Sequence, residues 1–394
     1  MPLIIDEDFK GIPPFPNTVS TAPLLRISLA KLLSGDAEEQ DRVWKACCGL
    51  GFFYLDMRMN EDISDAGLLD GNALLDDADQ LFKTGEGFFE LPLEEKRKYD
   101  FSSQNSYFGY KGMGAATIDA KGNKDRNEFY NVSKDETLGV PHPPENPNMP
   151  AAPYLDQYRP LLKDYITRCH ALITYFLRFL NARLELPEGK LESLHRIDAI
   201  SGDQVRFIKA PPQPVDDKRT ALGAHTDFGS VTVLFNRVGG LQVRLPHYIQ
   251  PTPPSEHSEN ANRLAGEEDG ENWAYVRPLP GHAIINLGDA LVKFSGGILR
   301  SNIHRVSSPP DTQAETTRYS LVYFSRPEDE VLLKALDESP LVKESIKGKA
   351  AEEAVNSKDW ILRRALGSRK GAEGWKNSRG TENASLAKDV EVRN

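Results

Sequence analysis

Hydrophobic positions along the first half of the chain recur every three or four residues. This spacing occurs at residues 43–50, 74–89 and 154–186, and it predicts amphipathic helices there. Pro92 predicts the end of the second helix. Only residues 52–55 form a short continuous apolar run that is typical of a buried strand. We therefore expect residues 1–200 to form a mainly helical region with one or two strands.

The second half changes to many short runs that favour strands, separated by Gly, Pro and Asp. Short strands with frequent turn signals predict a sandwich or barrel, and a jelly roll can bring strands that are distant in sequence side by side. The predicted strands are residues 205–209, 231–235, 241–244, 273–277, 282–286, 298–306 and 319–324.

This change of pattern predicts three parts within one structural unit. Residues 1–200 pack on the core, residues 201–330 form the β core, and residues 331–394 provide further helices and, from residue 368, a loose tail. An acidic, polar stretch at about residues 250–272 is interpreted as a solvated insertion in a hairpin, where His257 is expected to be exposed.

Composition narrows the class of protein. The chain has 394 residues, of which 39% are hydrophobic, so it can bury a substantial core. A net charge of −10 argues against a nucleic-acid surface and gives no reason to expect attraction to an anionic membrane. Residues 1–6 have neither the basic start nor the long apolar stretch of a signal peptide, so we expect a cytoplasmic protein. We expect its partner to be a small-molecule substrate.

The cysteines and two of the histidines are expected to be structural. Cys47, Cys48 and Cys169 fall in predicted helices, with no zinc spacing and no disulfide framework. His170 and His195 also lie in or beside a helical region. None of these five residues is predicted to take part in chemistry.

His225 and Asp227 are the first candidate for chemistry. Two positions apart, they would share one face of an extended strand, where a metal could take an imidazole nitrogen and a carboxylate oxygen. His304, on a later strand, would complete a triad of two histidines and one carboxylate. Such a triad leaves one side of an octahedral Fe(II) open, although the same ligands can also bind zinc in a hydrolase.

Arg318 and Ser320 are the second candidate. They lie on one face of a predicted strand, where arginine can bind a carboxylate through two hydrogen bonds and serine adds a donor. The pair suits a dicarboxylate whose other end reaches the metal.

These motifs together resemble the iron(II)- and 2-oxoglutarate-dependent oxygenases of the isopenicillin N synthase-like family. The resemblance extends from Gly51-Phe52-Phe53 through Gly223-Ala224-His225-Thr226-Asp227, Asn286-Leu287-Gly288-Asp289 and His304-Arg305-Val306 to Arg318-x-Ser320. It implies a mainly β protein with a cupin-like double-stranded β-helix core and flanking helices. It implies His225, Asp227 and His304 as iron ligands, Arg318 and Ser320 as ligands of the 2-oxoglutarate carboxylate, and dioxygen as the oxidant. The sequence is most similar to fungal members of the family that modify secondary metabolites.

One departure from the family pattern concerns the cosubstrate. Many relatives carry Asn-x-Tyr before a double proline, whereas this chain has Ile208 and Ala210 at those positions, ahead of residues 211–212. Neither side chain can donate a hydrogen bond, so Arg206, on the same face of the strand, is a further candidate for cosubstrate binding. An Fe(II) oxidase that does not use 2-oxoglutarate, a zinc hydrolase and a non-catalytic binding protein remain alternatives.

Aromatic residues are candidates for the substrate pocket. A glycine-containing aromatic segment includes Tyr107 and Tyr110, and Phe129 and Phe228 could also exclude water from the oxidising centre. Strand alternation places Phe324 on the same side as Arg318. The substrate itself, and the choice among hydroxylation, desaturation and ring formation, are left open because they depend on how the substrate is positioned.

Overall fold

The computed structural model describes residues 8–59, 66–213, 220–253, 272–349, 354–371, 373 and 380–381. Most of the predicted insertion at about 250–272, including His257, lies outside the described residues, as does most of the predicted tail. No helix in the described part of the chain is long and apolar enough to cross a membrane.

The helices lie mainly in the first half of the chain, as the apolar spacing predicts. They are α1 (Leu29–Leu33), α2 (Ala37–Gly49), α3 (Gly71–Glu90), α4 (Leu93–Arg97), α5 (Lys134–Leu138), α6 (Pro153–Asp156), α7 (Arg159–Arg183), α8 (Asp289–Phe294), α9 (Pro340–Ser345) and α10 (Ser357–Gly367).

Local signals explain where the main helices begin and end. The Asp36 side chain accepts a hydrogen bond from the Glu39 N–H at 2.9 Å and so caps α2. Gly51 follows this helix with a φ of +68°, and a Cβ there would lie 2.1 Å from the Arg300 carbonyl oxygen. Only glycine allows both the turn and this close approach, so the chain can pass directly into the next strand.

In the described part of the chain, fourteen strands form three sheets. They are β1 (Arg26–Ser28), β2 (Phe52–Asp56), β3 (Gly109–Lys111), β4 (Glu128–Ser133), β5 (Gln204–Ala210), β6 (Leu222–His225), β7 (Val231–Asn236), β8 (Leu241–Arg244), β9 (Trp273–Tyr275), β10 (His282–Leu287), β11 (His304–Val306), β12 (Arg318–Ser325), β13 (Leu332–Leu333) and β14 (Val355–Asn356).

The larger sheet has the order β1-β2-β10-β7-β12-β5-β4-β3, and the second sheet has the order β6-β11-β8-β9. β13 and β14 form a separate pair. Several neighbouring strands are far apart in sequence, such as β2 and β10 or β7 and β12, and this connectivity is expected of a jelly roll. The predicted β core with flanking helices is confirmed.

The helical layer covers the outer face of the larger sheet. Ring contacts join α7 to this sheet, with Phe176 against Phe53 at 5.6 Å and Tyr165 against Phe235 at 6.4 Å between ring centroids. Cys47 and Cys169 are buried in the same hydrophobic core, and burial raises the pKa of both thiols. The cysteines therefore remain protonated packing residues.

Two predictions about strands are wrong. Residues 109–111 and 128–133 form β3 and β4, where no strand was predicted. Their strand pattern is concealed because charged side chains are buried in pairs, such as Glu128 with Lys96 at 2.8 Å. In the predicted strand 298–306, only residues 304–306 are extended in a sheet, since the preceding residues lead the chain back from α8.

Candidate active site

His225, Asp227 and His304 come together where the ends of β6 and β11 meet. The two strands are antiparallel, and His304 lies opposite His225. Asp227 Oδ1 is 4.0 Å from His225 Nε2 and 3.9 Å from His304 Nε2. The three potential ligand atoms all lie within 4.8 Å of one another. The expectation that His225 and Asp227 share a strand is wrong, because β6 ends at His225 and Asp227 lies in the segment that follows.

Hydrogen bonds orient the candidate ligand atoms toward a common point. His225 donates from Nδ1 to the Gly223 carbonyl at 2.8 Å, and His304 donates from Nδ1 to the Asn302 carbonyl at 3.1 Å. Each histidine therefore presents the lone pair of Nε2. The other oxygen of Asp227, Oδ2, accepts hydrogen bonds at 2.6 Å that leave Oδ1 available; the donors are Thr232 and Asn286.

Electrostatics also suit a cation at this point. Burial lowers the pKa of His225, and the neighbouring His304 lowers it further, so the imidazole is neutral. Burial acts to raise the pKa of Asp227, but the two histidines and the hydrogen-bond donors outweigh it, and the net pKa is lowered. Two imidazoles and one carboxylate are a donor set that fits Fe(II) and leaves positions for other ligands.

Arg318 and Ser320 lie on the inner face of β12. Arg318 is 3% exposed, and it donates to the Gly239 carbonyl at 2.8 Å and to Ser320 Oγ at 2.7 Å. Burial lowers the pKa of Arg318 to about 10, which leaves it charged at neutral pH. Among the described residues, no carboxylate lies within 4.0 Å of this guanidinium. A buried cation that has only neutral partners fits an anionic ligand.

Asn236 supports the same interpretation. It pairs with Ser320 across β7 and β12, and its buried Nδ2 has no hydrogen-bond partner in the part of the chain that the structure describes. On the other side of β12, Ile208 lies opposite Ser320 and Ala210 lies opposite Arg318. This position is therefore polar on the β7 side and apolar on the β5 side, and a carboxylate there would receive donors from β7 and β12.

A buried network of side chains behind the triad was not predicted. Arg364 in α10 forms an ion pair with Asp289 at the start of α8, and both side chains are 0% exposed. Arg364 Nη2 also donates to the carbonyl oxygen of Thr226 at 3.1 Å. The motif Asn286-Leu287-Gly288-Asp289 was a usable signal for one half of this network, but nothing in the local sequence indicated Arg364.

A cavity of about 900 Å³, including its open mouth, lies beside His225. The predicted aromatic residues Tyr107, Phe129 and Phe228 line it. Tyr110 requires a correction. Its hydroxyl donates to Glu128 at 2.6 Å and its side chain is 2% exposed, so it packs in the core and does not contribute to the cavity wall.

Phe324 and Arg206 contact each other at the inner side of this cavity. The Arg206 guanidinium lies 4.9 Å from the centroid of the Phe324 ring and 4.2 Å from that of Phe129. Arg206 lines the cavity, whereas Phe324 lies behind it. Arg206 Nε donates to Asn131 Oδ1 at 2.7 Å, which fixes the orientation of the guanidinium.

Some residues that line the cavity were not among the predicted site residues. They are Lys111 and Asp125, and also Ser368 and Arg369, which were assigned to a loose tail. The tail prediction is wrong at its beginning, because residues 368–370 form a turn and the Ser368 carbonyl accepts a hydrogen bond from the Thr117 N–H at 2.8 Å.

Comparison with families of known proteins gives two matches. Residues 201–327 match the 2OG-Fe(II) oxygenase superfamily. Residues 22–152 match the N-terminal region described as "non-haem dioxygenase in morphine synthesis N-terminal".

Individual relatives agree with these matches. A 2-oxoglutarate-dependent dioxygenase of Aspergillus fumigatus is 31% identical over 357 residues, which cover 88% of this chain and 86% of that protein. Another 2-oxoglutarate-dependent dioxygenase, from a Dothideomycetidae species, is 33% identical over 321 residues, which cover 81% of this chain and 86% of that protein.

Among solved structures, a full-length protein from Neurospora crassa, crystallised in complex with alpha-KG and 5-formyluracil, superposes with a TM-score of 0.65. It is 21% identical, and the alignment covers 88% of this chain and 98% of that one. At this identity the likeness concerns the fold, and it is the same jelly roll with flanking helices.

Proposed function

Because this chain belongs to the 2OG-Fe(II) oxygenase superfamily, we propose that His225, Asp227 and His304 hold its Fe(II) while it oxidises a small organic metabolite. The chain is a 2-oxoglutarate-dependent dioxygenase by family, and Fe(II), 2-oxoglutarate and dioxygen are its cofactor and cosubstrates. When bound, they would supply the oxidising chemistry, in which one oxygen atom of dioxygen enters 2-oxoglutarate as it loses carbon dioxide to give succinate, and the other is available to oxidise the substrate.

The observation that carries the assignment of ligands is the orientation of the triad. Two Nε2 lone pairs and one carboxylate oxygen point to a common position, and each opposite atom is occupied by a hydrogen bond within the protein. Backbone carbonyls hold the histidines, and Thr232 and Asn286 hold Asp227. Such partners fix the tautomer and the direction of metal ligands.

We assign the distal carboxylate of 2-oxoglutarate to Arg318 and Ser320, with the amide of Asn236 as a further donor. The buried guanidinium of Arg318 favours 2-oxoglutarate over an oxidase mechanism that lacks it, because that charge has no carboxylate partner among the described residues. Arg206 lies against the Phe129 ring, at 4.2 Å, in the cavity that His225 also lines. It is a candidate for contact with the cosubstrate there or with the substrate.

The remaining chemistry of this chain is positioning and exclusion of water. Tyr107, Phe129 and Phe228 provide apolar walls next to His225, and these walls would hold the substrate and keep water from the reacting centre. The similarity to fungal relatives supports a role in secondary metabolism, and a cytoplasmic location is part of the same proposal.

A screen of metabolites for succinate and carbon dioxide release tests this function. Each compound is incubated with Fe(II) and the enzyme, with and without 2-oxoglutarate. We expect substrate-stimulated succinate only when 2-oxoglutarate is present. A product formed without 2-oxoglutarate would favour the oxidase alternative, and hydrolysis with Zn(II) would favour a hydrolase.

A further inference from the structure

Three cationic side chains surround the ring of Phe129 in the cavity beside His225. The Arg206 guanidinium lies 4.2 Å from the ring centroid, the Lys111 ammonium 5.3 Å and the Arg369 guanidinium 5.8 Å. All three side chains line the cavity. This concentration of positive charge is notable in a chain whose net charge is −10.

The three cations are not equally compensated. Lys111 forms a buried ion pair with Asp125. Arg206 has an amide partner, Asn131, and no carboxylate of the described residues lies within 4.0 Å of it. The carboxylate neighbour of Arg369 is Asp100 at 3.8 Å, and the Asp100 side chain is 36% exposed. Arg206 therefore faces the cavity with no carboxylate of the described residues within 4.0 Å, and Arg369 faces it with one partly exposed carboxylate neighbour.

This arrangement is unfavourable without a ligand. Burial lowers the pKa of Arg206 to about 9, and the nearby Arg326 and Arg369 add to the effect. Burial likewise lowers the pKa of Lys111, with further contributions from Arg369 and Arg206. Arg206 is still charged near pH 7, so an anion that enters the cavity would relieve both desolvation and repulsion between like charges.

If the proposed function is correct, the charges of the cofactor and cosubstrate are already balanced by other groups of the site. The charges of Fe(II) and Arg318 together equal those of Asp227 and the two carboxylates of 2-oxoglutarate. Arg206 and Arg369 are not part of this charge balance, so they are available to bind an anionic group of another molecule. The same cavity has an apolar surface for the carbon skeleton of that molecule, formed by Ile118, Leu222 and Phe228.

We propose that the substrate is an organic acid whose carboxylate is bound by Arg369 together with Arg206, beside the ring of Phe129. This inference rests on the proposed function and names the class of its substrate. Arg369 belongs to the turn after α10, so the C-terminal part of the chain determines the charge that the enzyme accepts.

Binding of matched acids and amides tests the proposal. The probes are arylalkanoic acids and their primary amides, titrated by calorimetry into enzyme that is saturated anaerobically with Fe(II) and 2-oxoglutarate. We expect the acids to bind about 10-fold or more tightly than the amides, since a hydrogen bond to a charged group contributes about 1.5–3 kcal/mol. Arg369→Gln should remove most of this preference, and Arg369→Lys should restore part of it.

Lys370→Gln is the matched control, because it removes the same charge from the adjacent, exposed residue. It should keep the preference for acids. The proposal is overturned if acids and amides behave alike, including the case in which neither binds, or if Arg369→Gln and Lys370→Gln are equivalent. Failure of the proposed function is seen separately, as the absence of Fe(II)–2-oxoglutarate absorbance in the same samples before any probe is added.

Discussion

The ion pair between Arg364 and Asp289 connects the C-terminal helix to the backbone around the predicted iron ligands. Arg364 Nη2 bonds to Thr226, which lies between His225 and Asp227. The Asp289 N–H donates to the Asp227 carbonyl at 2.9 Å. Removal of this arginine should therefore affect both the stability of the fold and the affinity for iron.

We predict that Arg364→Met destabilises the protein by about 3–5 kcal/mol, because it leaves the buried Asp289 carboxylate without its charge partner. Asp289 keeps hydroxyl donors from Thr226 at 2.9 Å and Thr381 at 2.7 Å, so the lower end of this range is expected. An unfolding entropy of about 2.1 cal/mol/K per residue corresponds to about 0.8 kcal/mol/K for this chain. The melting temperature should then fall by about 4 °C.

Arg363→Met provides the control on the same helix. Arg363 is exposed, and its guanidinium lies 4.9 Å from the Trp360 ring. A cation–π contact at such a site contributes about 0.5–1 kcal/mol, so the melting temperature should fall by about 1 °C. Thermal unfolding of the metal-free variants, followed by circular dichroism, measures both values.

A double variant completes the test. Arg364→Met combined with Asp289→Leu removes both charges and should cost less than the sum of the two single variants. The reasoning is refuted if Arg364→Met and Arg363→Met melt at the same temperature. It is equally refuted if the double variant loses the full sum.

Three further predictions concern the site and its surroundings. Thr232→Val should reduce Fe(II) affinity by about 10- to 100-fold with little change in fold, because it removes a hydrogen-bond donor to Asp227 Oδ2. Metal titration measures this affinity, and an unchanged affinity would count against the predicted role of Thr232. Arg318→Met should raise the KM for 2-oxoglutarate by about 10- to 150-fold, because a hydrogen bond to a charged group contributes about 1.5–3 kcal/mol to binding. An unchanged KM would mean that other residues bind the distal carboxylate of 2-oxoglutarate. Burial lowers the pKa of His195 in the folded protein below its usual value of about 6.5. As the pH drops, the unfolded state therefore binds a proton at a higher pH than the folded state does, and the free energy of unfolding should decrease below about pH 6.5. His195→Gln should make that decline shallower in denaturant titrations, and an unchanged slope would exclude His195 as its source.

Much of the fold follows from the sequence because apolar spacing directly reflects burial. The α3 and α7 helices and most strands of the core were predictable on this basis. β3 and β4 were not, since buried ion pairs such as Lys96–Glu128 place charged residues where a strand pattern requires apolar ones. Local spacing carries no information about partners that are distant in sequence.

The same distinction applies to the candidate site. His225, Asp227, His304, Arg318 and Ser320 could be identified because their chemistry is expressed in short motifs. Arg369 could not, since a single arginine near a polar tail has no local signal. Its importance arises from tertiary structure, which places the turn after α10 against Phe129.

The identity of the metal and cosubstrate site is tested most directly by anaerobic addition of 2-oxoglutarate to the protein loaded with Fe(II), followed by visible absorbance. The wild-type protein should develop the charge-transfer band of 2-oxoglutarate bound to Fe(II), and Lys370→Gln should behave in the same way. His304→Ala should lose the band. An absence of the band in wild type, or its survival in His304→Ala, would contradict the assignment of this triad as the iron site.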